Sequence, residues 1–134
     1  MKDFDQYLQY FRYFRDETIP EDFAWWFCRS DREVYQTQEI YERFGYAEQT
    51  EIISSGDFVE LDRVDVIALY REYLHPYVGK QEIKTMRALP DDAFSVSFRV
   101  YIERNHLDRS WFDFEQKALQ AVFETWRTEN HVVL

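Results

Sequence analysis

The chain is short of glycine, proline and cysteine, and it has no long apolar run. Only 3 Gly and 3 Pro occur among 134 residues. Few turns can therefore rely on positive φ, and long Gly-rich active-site loops are excluded. Helices with tight connections are favoured instead. The single cysteine, Cys28, excludes an internal disulfide and fits a reducing compartment. The first residues, Met1-Lys2-Asp3-Phe4-Asp5, offer no apolar signal core. No stretch of about 20 apolar residues is present to span a bilayer. The cytoplasm is the expected location.

Basic side chains are also scarce. Lys and Arg number 16 against 26 Asp and Glu, a net charge of −10. Direct nucleic-acid binding needs a basic footprint, so the charge argues against it. It argues equally against an anionic membrane surface. The charge is uneven, because residues 1–67 hold 16 acidic and 7 basic side chains. An acidic half of this kind either keeps the protein soluble or faces a basic partner.

What the chain has in abundance is rings: 12 Phe, 10 Tyr and 4 Trp. A chain of this length makes one domain, residues 1–134, and buries roughly two thirds of its unfolded surface. Much of that core must be aromatic, with Tyr and Trp tips at its boundary.

Phe4, Tyr7, Leu8, Phe11 and Phe14 fall at helical spacing, which predicts a helix over 3–16, closed by Pro20. The apolar run 23–28 and Val34-Tyr35 flank Ser30-Asp31-Arg32, which predicts a β-hairpin. Residues 37–44 read as a short helix capped by Gly45. Glu51-Ile52-Ile53 and Phe58-Val59-Glu60-Leu61 look like strand ends around the turn Ser54-Ser55-Gly56-Asp57. Asp62 is placed to cap a helix whose apolar stripe is Val66, Ile67, Tyr70, Tyr73 and Leu74, ended by Pro76. A short helix over 81–88 follows, then one from Asp92 to about Asn105. Ser110 with Asp113 gives a second capping signature. Trp111, Phe114, Ala118, Val122 and Trp126 then make one helical face, expected to share a core with Phe94 and Phe98. The tail, His131 to Leu134, either adds to a sheet or frays.

The order of elements suggests α+β: an N-terminal helix, a small antiparallel sheet from residues 23–61 and a C-terminal helical layer. A mostly α fold is the alternative. Three stretches in this order carry a resemblance: Trp25-Trp26-Phe27-Cys28-Arg29-Ser30-Asp31-Arg32-Glu33-Val34; Phe58 to Asp65 with Tyr70-Arg71-Glu72-Tyr73; and Phe94, Phe98, Trp111, Phe114, Ala118-Leu119 and Trp126. Over about residues 23–130 the chain resembles uncharacterised protein family 0158, a bacterial family. That family has no established activity, so the resemblance implies a fold pattern and no site.

Glu72-x-x-His75 and Glu103-x-x-His106 are the pairs closest to chemistry. Two such pairs are half the ligand set of a di-iron or di-manganese bundle. Both histidines fall at expected helix C-termini, where the helix dipole explains them, and no further inward Glu residues complete the set. Cys28 sits in an apolar strand, where a thiol is an inert small hydrophobe rather than a nucleophile. No H-E-x-x-H, C-x-x-C or phosphate loop is present. On a strand the rings of Trp25 and Trp26 face opposite sides, so at most one enters the core easily. The other is covered by Phe4, Phe11 or Phe14, or forms a contact surface.

The sequence thus favours a non-enzymatic interaction or regulatory protein with no cofactor and no metal. Its candidate partner surface is Trp25, Trp26, Glu39, Glu42, Glu48 and Glu51, facing a protein with a basic surface. One alternative is a metal-dependent or hydrolytic enzyme using Glu72, His75, Glu103 and His106. Another is an acidic mimic that binds a nucleic-acid-binding protein.

Overall fold

The computed structural model describes residues 4–13 and 23–134, with the side chains of Phe4 and Asp5 excepted. Its organisation begins with the expected hairpin. Strand β2 (Trp25–Cys28) pairs antiparallel with β3 (Val34–Gln36), with Trp26 opposite Tyr35 and Phe27 opposite Val34. On its other edge β2 pairs antiparallel with β4 (Phe58–Glu60), with Cys28 opposite Phe58. Helix α2 (Thr37–Phe44) follows directly. Gly45 ends it at φ 74° and donates its N–H to Tyr41. That left-handed φ is open to glycine without steric cost.

The apolar run of β2 is explained by burial on both faces. Ala24, Trp26 and Cys28 cluster with Tyr35, Ile40, Ile52 and Phe58. On the opposite face Phe27 meets the rings of Tyr7 and Trp126 at 6.0 and 5.9 Å. The expected strand at Glu51-Ile52-Ile53 is instead part of helix α3 (Gln49–Ser54). Ile52 is buried and Ile53 is exposed, which two-residue alternation and a short amphipathic helix satisfy equally well.

The predicted first helix is shorter than its spacing suggested. Helix α1 covers Phe4–Leu8, a 3-10 turn covers Gln9–Phe11, and Arg12–Tyr13 form strand β1. Phe14, the rest of that predicted helix and Pro20 lie outside the described residues. Strand β1 pairs in parallel with β5 (Val64–Asp65). That pairing moves the next helix start, so Asp62 is not its cap. Asp65 is: its Oδ1 accepts from the N–H groups of Ile67 and Ala68 at 3.0 and 3.3 Å.

Helix α4 (Val66–Leu74) buries Val66, Ile67, Tyr70, Tyr73 and Leu74, the stripe read from sequence. Pro76 lies in a 3-10 turn, His75–Tyr77. Helices α5 (Gln81–Arg87), α6 (Asp91–Arg104) and α7 (Asp108–Glu129) complete the chain. The α4 stripe packs with Ile83, Met86, Phe94, Phe98, Tyr101 and Ile102. Tyr70 stacks on Phe98 at 4.0 Å and 12°. Ser110 does not cap α7, which starts at Asp108; its Oγ accepts from the Tyr73 hydroxyl at 2.7 Å.

The chain is therefore α+β and mostly helical, with a three-stranded antiparallel sheet and a two-stranded parallel one. It divides into two compact units. The first contains the described parts of Met1–Phe11 and Ile19–Arg63, with Ala121–Leu134; the second contains Val64–Gln120 and the described part of Arg12–Thr18. Helix α7 contributes to both: Trp111 joins Phe94 and Phe98 as expected, whereas Trp126 packs in the first unit. Trp111 contacts Tyr70, Tyr73 and Phe98. Trp126 contacts Phe11, Phe27 and Phe123. The most buried face of α7 is Glu115, Leu119, Phe123 and Trp126, while Ala118 and Val122 are half-buried beside it. The tail forms no strand, and Val132 is buried.

Candidate functional site

The candidate partner residues separate into structural and surface groups. Trp26 is a core residue at 1% exposure, so it offers nothing to a partner. Its Nε1 donates to Thr37 Oγ1 at 2.9 Å, and that hydroxyl also accepts from Ala24 N–H at 3.0 Å. Trp25, on the other face, is half-buried between Tyr10 at 4.8 Å and Phe23 at 5.7 Å. Phe11 packs against Phe123 and Trp126. Phe14 and the Phe4 side chain are outside the described residues.

Glu39 is also taken up internally. Its Oε1 accepts from the Gln36 N–H at 3.1 Å, satisfying a donor at the start of α2. Glu42, Glu48 and Glu51 are exposed. Glu42 accepts from Gln38 and Glu48 from Thr50, both at 3.3 Å along the surface. Two large apolar side chains belong to the same two helices: Phe44 at 42% exposure and Ile53 at 61%. The Arg43 guanidinium lies 5.6 Å from the Tyr35 ring centre. The α2–α3 segment thus presents three carboxylates with two exposed apolar side chains.

A second polar group surrounds the hairpin turn. Opposing Cys28 and Phe58 in register brings Asp57 to the turn. The Cys28 thiol donates to Asp57 Oδ2 at 3.3 Å, and Ser30 Oγ donates to Oδ1 at 2.7 Å. The Tyr35 hydroxyl donates to Asp31 Oδ2, and the Glu33 N–H donates to Oδ1 at 2.9 Å. Burial above all pushes the Cys28 thiol up to about 11. A nucleophilic cysteine needs the opposite shift. Asp31 lies below its ordinary value: burial pushes it up, but hydrogen bonds from Tyr35, Glu33 and Cys28 outweigh that. Tyr35 is raised to about 12, first by its bond to Asp31 and then by burial. This network closes a turn and leaves no activated nucleophile. Sequence reading found Cys28 and Asp57 separately. Their meeting depends on the β2–β4 register, which no local signal carries.

Glu72, His75, Glu103 and His106 are all exposed. His75 caps α4 at its C-terminus. His106 has φ 55° and follows the cap Asn105 of α6. Its N–H bonds to Glu103 O and the Leu107 N–H to Ile102 O, the pattern of a Schellman motif. The end of α7 repeats this. His131 has φ 54°, its N–H bonds to Thr128 O, and the Val132 N–H bonds to Arg127 O. Asn105 and Asn130 each donate Nδ2 to the aromatic residue four positions back, at 2.9 Å to Tyr101 O and 2.8 Å to Trp126 O. His106 and His131 thus share one role as left-handed helix terminators. Among the described residues, no group of three His, Cys, Asp or Glu converges to hold a metal ion.

Sequence reading missed a cleft of about 430 Å³ between α5 and α6. Its signal was Val96 and Val100, one turn apart and off the Phe94–Phe98 stripe. Among the described residues, no helix is long and apolar enough to cross a membrane. No protein-family model matches the chain, and comparison with curated proteins and with solved structures gives no match.

Proposed function

We propose that the chain is a non-enzymatic interaction protein of the cytoplasm whose α2–α3 segment docks on a basic protein surface. The observation that carries this reading is the grouping of Glu42, Glu48 and Glu51 with Ile53, 61% exposed, on one short stretch. Carboxylates supply steering and orientation, while an apolar side chain supplies the slow dissociation that charge alone does not. Between Glu39 and Asp65 lie eight acidic residues, with only Arg43 and Arg63 opposing them. A nucleic-acid-binding protein presents such a basic face, so an acidic mimic is one form of the same reading. The resemblance to uncharacterised protein family 0158 is a proposal alongside it and adds no activity.

The experiment is capture of partners on the immobilised full chain, followed by binding kinetics of each partner against ionic strength. Steered association slows as the Debye length falls from about 10 Å at 0.1 M salt to about 3 Å at 1 M. Neutralising Glu42, Glu48 and Glu51 to Gln should lower the on-rate about tenfold or more and flatten its salt dependence. Ile53→Ser should mainly raise the off-rate. A salt-independent on-rate, or kinetics untouched by these substitutions, would mean that the acidic surface only keeps the protein soluble.

A further inference from the structure

We infer that the cleft between α5 and α6 binds a small, uncharged, largely apolar molecule with one hydrogen-bonding end. Its volume of about 430 Å³ falls within the usual span of small-molecule sites, roughly 300–1,000 Å³. Met86, Leu89 and Tyr101 line it together with Val96 and Val100. The two valines are 60% and 53% exposed, although they sit in the middle of α6. Valine is a poor helix former, because its branched Cβ loses χ1 freedom against the preceding turn. On an exposed helix face it gains no packing in return. Two such residues one turn apart, beside a concave surface, serve as the wall of a site.

The charge of the lining sets the ligand's charge. The charged residues of the lining are Glu82 on α5 and Arg104 on α6, and their side chains pair with each other. A charged ligand would compete with this pair, whereas an uncharged one leaves it intact. Gln81, Thr85 and Ser97 add amide and hydroxyl groups to the lining. These suit one polar end, and the apolar wall suits the rest.

The test uses the full chain and two fluorescent probes of nearly equal shape: uncharged N-phenyl-1-naphthylamine and its sulfonated anionic analogue. The uncharged probe should bind saturably, one per chain, and at least ten times tighter than the sulfonated one. Val100→Glu should weaken it at least tenfold with an unchanged helical circular-dichroism spectrum. Val96→Ser provides a second variant should the first fail to fold, with a smaller loss of about threefold. Glu82→Gln releases the Arg104 charge and should tighten the sulfonated probe at least threefold while leaving the uncharged probe unchanged. Unsaturable binding, equal affinity for both probes, or affinity untouched by Val100→Glu would overturn the proposal. So would a wild-type dimer that Val100→Glu dissociates in sedimentation velocity without any probe binding, because a second copy would then cover the valines.

Discussion

Trp126 donates its indole N–H to the carbonyl of Glu60 at 2.8 Å, tying the last helix to the β4 strand of the sheet. The same ring is 1% exposed and meets Phe11 at 5.4 Å and Phe27 at 5.9 Å. Trp126→Ala should therefore cost about 3–5 kcal/mol in urea unfolding, by loss of transfer energy and by the cavity left behind. Trp126→Phe keeps most of the apolar contact and should cost about 1–2 kcal/mol, most of it the lost hydrogen bond. A loss under about 1 kcal/mol for the alanine variant would show that the ring is not part of the core.

The hairpin, α2 with its Gly45 cap, and the α4 stripe are legible in sequence because short-range chemistry decides them. The choice between Asp62 and Asp65 is different. Both lie within a turn of the apolar pair Val66-Ile67, and the pairing of Val64–Asp65 with Arg12–Tyr13, far apart in the chain, selects Asp65. The same contact ends the first helix early. Glu42, Glu48 and Glu51 are legible as surface because carboxylates off the apolar face stay in water. Glu39 was not, because its Gln36 partner is a backbone donor that exists only once α2 has formed. The α7 face was read one residue off. Apart from Trp126, the predicted stripe lies on the half-buried flank of the face that Leu119 and Phe123 bury.

His106 and His131 hold φ of 55° and 54°, where a side chain crowds its own backbone. Replacing either with Gly should stabilise the chain by about 0.5–1 kcal/mol, the relief of that strain less the added freedom of the unfolded state. Alanine at the same positions should give no gain, because it keeps the Cβ. Equal effects of Gly and Ala in urea titrations would show that the imidazoles, and not the backbone, matter at these ends.

The Asp31–Tyr35 bond gives two pH limbs with opposite signs. Tyr35 is raised from 10.0 to about 12, so its stabilisation is complete below pH 10.0 and is lost as pH rises through about 12. Asp31 is lowered from 3.8, so its stabilisation is present above that value and is lost as pH falls through the lower folded-state value. Tyr35→Phe should flatten both limbs and cost about 1 kcal/mol at neutral pH, a modest figure because Asp31 faces solvent. Stability followed by chemical denaturation across the pH range checks this. Unchanged slopes at both ends would sink it.

Glu115 tests how burial competes with pairing. The residue is 6% exposed, and its Oε2 lies 3.3 Å from an Arg12 guanidinium nitrogen. Loss of solvent pushes its carboxyl above the ordinary 4.5, and Arg12 only partly offsets that. A raised folded-state value means that the contribution to stability is fully present below the unfolded value and is lost as pH rises through the folded one. The ionised carboxylate is thus a net cost in the folded chain at neutral pH, even with its cation. Glu115→Gln keeps the volume and an acceptor for Arg12 while removing the charge. It should be at least as stable as the parent at pH 7 and should show less loss of stability between pH 4.5 and neutrality. Arg12→Met should act oppositely and cost about 1–3 kcal/mol, because the buried carboxylate then lacks its cation; the figure is discounted because Arg12 is 36% exposed. In the Glu115→Gln background Arg12→Met should cost much less. A Glu115→Gln variant destabilised by more than about 1 kcal/mol at pH 7 would mean that the attraction between the pair outweighs the desolvation, so that the ionised carboxylate stabilises the folded chain instead of costing it.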